Sequence, residues 1–109
     1  MIKTGDNTRM IKGLLLLAAL MLVINTAQAE GNKTAGAKKA RSCQVCHGKG
    51  GRSTNPTYPV LAGQHAQYLE KQLQAYKDGT RADPIMSGVA VPLSGQDMAD
   101  IAAYFQSNH

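Results

Sequence analysis

The 109-residue chain has no tryptophan, one phenylalanine and four tyrosines. So few large apolar side chains leave a small domain short of core, and the missing volume has to come from elsewhere. Cys43 and Cys46 are the only cysteines. They cannot build a disulfide framework, and a bridge between residues three apart would close too small a loop to stabilise much. A structural zinc site needs a second ligand pair at matching spacing, whereas His65 and His109 are scattered. No segment alternates convincingly enough for a strand, which removes the strand–helix setting of a thioredoxin-like CxxC. No apolar run is long enough to span a membrane. Gly13–Ile24 would rise about 18 Å as a helix, against a hydrocarbon core of ~30 Å. Beyond residue 29 there are no repeats or low-complexity tracts, and the basic residues lack the aromatic interleaving of a nucleic-acid face.

What is present is Cys43-Gln44-Val45-Cys46-His47. Two thiols three positions apart, followed at once by a histidine, form the attachment pattern for a c-type haem. One helical turn can offer both thiols to the two vinyl groups along one edge of the macrocycle, each forming a thioether. His47 then falls beneath the ring, where an imidazole nitrogen can bind iron. A buried macrocycle also supplies the core that the aromatic count leaves out. One covalent haem with its iron is the expected cofactor.

Residues 1–29 read as a secretory signal and residues 30–109 as one domain. Lys3, Arg9 and Lys12 precede or flank the start of the apolar run, and Ala27-Gln28-Ala29 supplies a small-x-small cleavage pattern. The expected location is the bacterial periplasm, where haem is joined to thiols, with no membrane span retained. After cleavage at Ala29, nine basic and six acidic residues remain, and the net charge falls from +5 to +3. Lys38, Lys39, Arg41, Lys49 and Arg52 cluster around the motif. They read as a solvated helix face or as a rim on which an acidic redox partner docks.

The apolar spacing predicts an all-α fold of three main helices and two loops. The first helix is expected from about Asn32 into the CxxCH motif, with Gly36 where another helix could cross closely. Glycines and prolines make residues 48–59 a loop. A second helix should run from about Gln64 to Lys77, with Gly79 as its C-terminal cap. Residues 79–93 form the second expected loop. The last helix starts at Ser94, a good N-cap, with Asp97 in a capping-box place and Met98, Ile101, Ala102 and Phe105 on one face. A thioether on the distal side of the iron would favour electron transfer. Met86, in the second loop, is preferred for it over Met98, whose helical spacing reads as packing. His65 and His109 remain alternatives, both expected at the surface.

With these residues in place, the chain resembles a class I c-type cytochrome of the short bacterial periplasmic kind, and one half of that family's two-haem members. The likeness covers residues 32–108. It rests on CQVCHG at 43–48, YPVLAGQ at 58–64, YLEKQL at 68–73, KDGTR at 77–81, Met86, and LSGQDMADIAAYF at 93–105. It implies that Cys43 and Cys46 hold the haem thioethers and that His47 and Met86 are the axial iron ligands. Pro59, twelve residues after His47, would accept a hydrogen bond from His47 Nδ1–H and orient the ring. The first and last helices would cross beside the haem, Gly36 facing Tyr104 or Phe105. The implied function is a soluble periplasmic electron carrier in a respiratory chain, not an enzyme. A haem subunit of a larger dehydrogenase or oxidase and a haem sensor with an open distal site are the alternatives. The implied partners are redox proteins, met as a monomer or within a complex.

Overall fold

The computed structural model describes residues 30–109, so the export signal expected at 1–29 lies outside the described residues. Five helices follow one another: α1 (Lys33–Lys39), α2 (Cys43–His47), α3 (Ala66–Asp78), α4 (Pro84–Ala90) and α5 (Gly95–Ser107). A short 3-10 turn, Lys49–Gly51, follows α2, and no strand occurs among the described residues. The all-α expectation holds, with two differences in detail. The first expected helix is two helices, and the second expected loop contains one.

The break between α1 and α2 falls at residues 40–42. Ala40 N–H still donates to the Gly36 carbonyl at 2.8 Å, but Val45 N–H reaches back only to Ser42, at 3.3 Å. The turn sets Ala40 wholly into the core with Cys43 packed against it, while Arg41 and Ser42 stay exposed. In the second loop, the Asp83 side chain accepts from the N–H groups of Ile85 and Met86 at 3.0 and 2.8 Å. Pro84 follows as the first helical residue, where its missing N–H costs nothing. The prolines and glycines of this segment therefore start and populate a helix rather than forbid one.

α5 organises the rest. Its capping box is complete: Ser94 Oγ accepts from Asp97 N–H, and Asp97 accepts from Ser94 N–H. α1 crosses it at Gly36, where a Cβ would overlap the Asp100 carbonyl and lie 2.9 Å from Tyr104 Cβ. Glycine is needed there for close approach. Lys39 ties the crossing from above, reaching Asp97 at 2.8 Å and Asp100 at 2.7 Å. Asp100 is 3% exposed. Its other oxygen accepts from Asn32 N–H at 2.7 Å and from the Gln96 amide at 2.8 Å. The Asn32 bond, then Lys39 and Gln96, pull the Asp100 carboxyl down to about 2. Lys39, helped by Ser94, lowers Asp97 to about 2 as well. Asp100 and Asp97 in turn push the Lys39 ammonium up.

α3 packs on the other flank of α5. His65 makes no side-chain cap at the start of α3. Instead Gln106 of α5 accepts from Ala66 N–H at 2.6 Å, a cap supplied across the helix pair. Gly79 closes α3 in the left-handed conformation. The shared core is small: Ala40, Leu69, Ile101, Ala102 and Phe105, with Leu73, Leu93 and Tyr104 at its margin. Three large side chains at about 1.5–3 kcal/mol each are little to hold a domain of this size. Among the described residues no helix is long and apolar enough to cross a membrane.

Candidate cofactor site

α2 is little more than a single turn, and it carries Cys43, Cys46 and His47. The i, i+3 spacing puts both thiols on one face. They are unbridged and half-buried. The two residues between them have opposite fates. Val45 is 84% exposed. Gln44 turns inward, where its Oε1 accepts from Gly50 N–H at 2.7 Å and from the Tyr104 hydroxyl at 3.3 Å. The side chain thus fastens α2 to α5 and to the turn that follows. Burial pushes the Cys43 thiol up, against smaller opposing hydrogen bonds to Ser42 and its own backbone.

His47 is 7% exposed. Its Nδ1 lies 2.8 Å from the Pro59 carbonyl oxygen, which can only accept, so Nδ1 carries the proton. Nε2 is left with its lone pair free for a metal. The intervening chain is closed by Gly51. At φ +80°, and with Phe105 Cδ1 2.7 Å from where a Cβ would sit, only glycine fits. The Gly51 carbonyl accepts from Leu61 and Ala62 N–H at 2.8 and 3.1 Å, which returns Pro59 to the histidine.

Cys43, Cys46, His47, Pro59 and Met86 all line one cavity of about 530 Å³. Leu69 and Leu73 of α3, Val89 of α4, and Ile101 and Phe105 of α5 complete its apolar walls. Around it Ile85 and Val60 stand 63% and 56% exposed. That is apolar surface a large flat ligand would cover. The volume lies in the range of small-molecule and cofactor sites. A hollow of about 660 Å³ near Glu30 and Ser107 is more open and touches none of the motif residues. The thiol, imidazole and thioether groups are thus gathered in the cavity of about 530 Å³ and not in the more open hollow.

The competing ligand candidates lie elsewhere. Met98 is 2% exposed within the core, and neither it, His65 nor His109 reaches the cavity. His65 and His109 are exposed. Met86 sits in the first turn of α4, so a helix rather than a loop presents it. The sequence reading missed Gln44 and Asp83 as positioning groups. Asp83-Pro84, an N-cap residue before a proline, was the available signal for α4. Nothing local marks Gln44, whose partners are distant in sequence. A covalent haem fits these residues: two thiols on one face, an imidazole with its outer nitrogen fixed, and an apolar hollow beside them.

The sequence profile of the Cytochrome c family matches residues 28–109. The cytochrome c4 of Pseudomonas aeruginosa is 47% identical over 95 residues, covering 84% of this chain and 47% of the relative. This chain therefore spans about half the length of that relative. The cytochrome c-554(548) of Halomonas halodenitrificans is 45% identical over 80 residues, covering 71% of this chain and 96% of its own length. A solved thiosulfate dehydrogenase from Marichromatium purpuratum superposes with a TM-score of 0.70 at 32% identity, covering 76% of this chain and 20% of that one.

Proposed function

The chain belongs to the cytochrome c family, a class I c-type cytochrome of bacterial type that binds covalent haem c with its iron, and on that premise we propose that it is a periplasmic electron carrier rather than an enzyme. Cys43 and Cys46 would hold the haem through thioethers, and His47 and Met86 would bind its iron. The observation that carries this reading is the meeting of both thiols, the imidazole and the Met86 thioether in one apolar cavity.

The bound haem supplies an iron that gains and loses a single electron. The chain's own work is to keep the surroundings the same in both states. Pro59 holds the imidazole by Nδ1–H, which fixes the ring and makes Nε2 more basic. Asp83 anchors the first turn of α4 and so the place of Met86. Leu69, Leu73 and Phe105 keep water from the ring. With His47 and Met86 as its protein ligands, a bound haem iron would be favoured in the reduced state and its potential raised. The decisive test is the ferric spectrum. Met86→Ala should abolish the weak long-wavelength sulfur-to-iron band and Met98→Ala should leave it intact. A band that persists in Met86→Ala rules Met86 out as the ligand.

Export follows from a signal at residues 1–29 cleaved after Ala29. Intact mass of the protein recovered from a periplasmic fraction checks it, and a retained leader would contradict it. Docking is to redox proteins through an acidic face that meets Lys38, Lys49 and Arg52 near the thioether edge. Transfer rates should then fall with ionic strength. Rates indifferent to salt would remove the charged rim. The likeness to part of a thiosulfate dehydrogenase supports a second reading, a haem subunit of a larger redox complex. Elution volume from native periplasm separates the two.

A further inference from the structure

Among the described residues, Arg81 is the one lysine or arginine that lines the cavity. It does not hang free. Its Nη1 donates to Gln72 Oε1 at 2.7 Å, and its guanidinium carbon lies 4.7 Å from the centre of the Tyr76 ring. Its backbone N–H donates to the Ala75 carbonyl at 3.1 Å. Gln72 and Tyr76 are four residues apart on α3 and both line the same cavity. The guanidinium is therefore laid along α3, with much of its rotamer entropy already lost.

Only Nη1 is used by a side-chain partner; Nε and Nη2 make no hydrogen bond among the described residues. A guanidinium with a free edge suits a planar carboxylate. The one carboxylate in the cavity wall, Asp83, is turned to the N–H groups of Ile85 and Met86 and forms no ion pair with Arg81. The neighbouring lysine, Lys77, is spent on the Leu93 carbonyl. A haem brings two carboxylates of its own, on side chains other than the vinyls that the thiols consume.

We propose that Arg81, positioned by Gln72 and Tyr76, pairs with a carboxylate of the haem and thereby holds the reduction potential up. This rests on the haem reading of the cavity. A carboxylate near the iron favours the more positive, ferric state, and a paired cation offsets that preference. Arg81 is exposed, so water screens the effect and keeps it moderate.

The test uses purified holoprotein and the variants Arg81→Gln, Arg81→Lys and Gln72→Ala. The readouts are spectroelectrochemical midpoint potential, the haem carboxylate bending band in resonance Raman, and the thermal melt. Arg81→Gln should make reduction roughly threefold less favourable, the scale of one exposed ion pair, and shift the band. Arg81→Lys should keep most of the potential yet shift the band, because a point charge replaces the fork. Gln72→Ala should move both in the same direction by less, and serves if Arg81→Gln does not mature. An unchanged potential and band in Arg81→Gln, with a lowered melt alone, would make Arg81 a loop staple and overturn the proposal. Wild-type protein without covalent haem would instead overturn the reading on which it rests.

Discussion

The seam between α1 and α5 and the cavity between α2, α3 and α4 are built on opposite plans. The seam is complete as it stands. Backbone meets backbone at Gly36, and every polar group at Asp100 has a partner drawn from Asn32, Lys39 or Gln96. The cavity is walled by apolar side chains such as Leu69, Leu73 and Phe105, and at its fringe Ile85 and Val60 stand largely exposed. One side is specified by side chains that find each other, the other by side chains that surround a guest. The cofactor is thus part of the core and not an addition to a finished fold.

Removing the guest should produce the largest effect. The Cys43→Ala, Cys46→Ala double variant, made without haem, should lose its cooperative melt. Amide protection should persist longer in α1 and α5 than in α4, as hydrogen exchange would report. An apoprotein melting as sharply as the holoprotein would erase the distinction between the two sides. Next comes the seam. Gly36→Ala should gain about 1 kcal/mol of helix propensity but force α1 from the Asp100 carbonyl. The net is a loss of about 2 kcal/mol in denaturant unfolding, with the haem spectrum unchanged.

Asp100→Ala removes a buried carboxylate that Asn32, Lys39 and Gln96 all bond, and should cost about 1–2 kcal/mol, the exposed donors regaining water. It should also change the acid limb. Asp97 and Asp100 lie at about 2 against an ordinary 3.8. Their stabilisation is therefore complete above about pH 4 and disappears as pH falls through 2. Asp100→Ala should flatten that limb, and an identical pH profile would show that the carboxyl is not depressed. The smallest effect belongs to Gln106→Ala. It uncaps α3 from a distance and should cost about 1 kcal/mol, read as a lower melting temperature.

Legibility in the sequence divides along the same line as the structure. Local grammar was readable: the α5 capping box at Ser94, the Gly79 cap, and the small residue at the crossing. The break at residues 40–42 was not, because Ala35, Gly36, Ala40 and Cys43 keep helical spacing straight through it. α4 was misread as loop because Pro84 and Gly88 look like breakers. Pro84 begins the helix, and Gly88 faces open space. At the site, the thiols and the histidine announced themselves by spacing alone. Gln106 on Ala66, Gln44 on Tyr104 and Arg81 in the cavity wall depend on contacts that only folding creates.

The turn closed by Gly51 has a consequence for how this chain can change over generations. Leu61 and Ala62 tie the far end of the segment to Gly51. Between the ties, Ser53, Asn55 and Thr57 bond mainly among themselves at the surface. Residues 53–56 therefore form a slack stretch upstream of Pro59, outside the cavity wall and the stretch that aims the imidazole. Doubling its length would add only about 0.6 kcal/mol of closure entropy. Insertions and deletions can accumulate there while the histidine keeps its aim, so this is where lineages of such a chain are free to diverge in length.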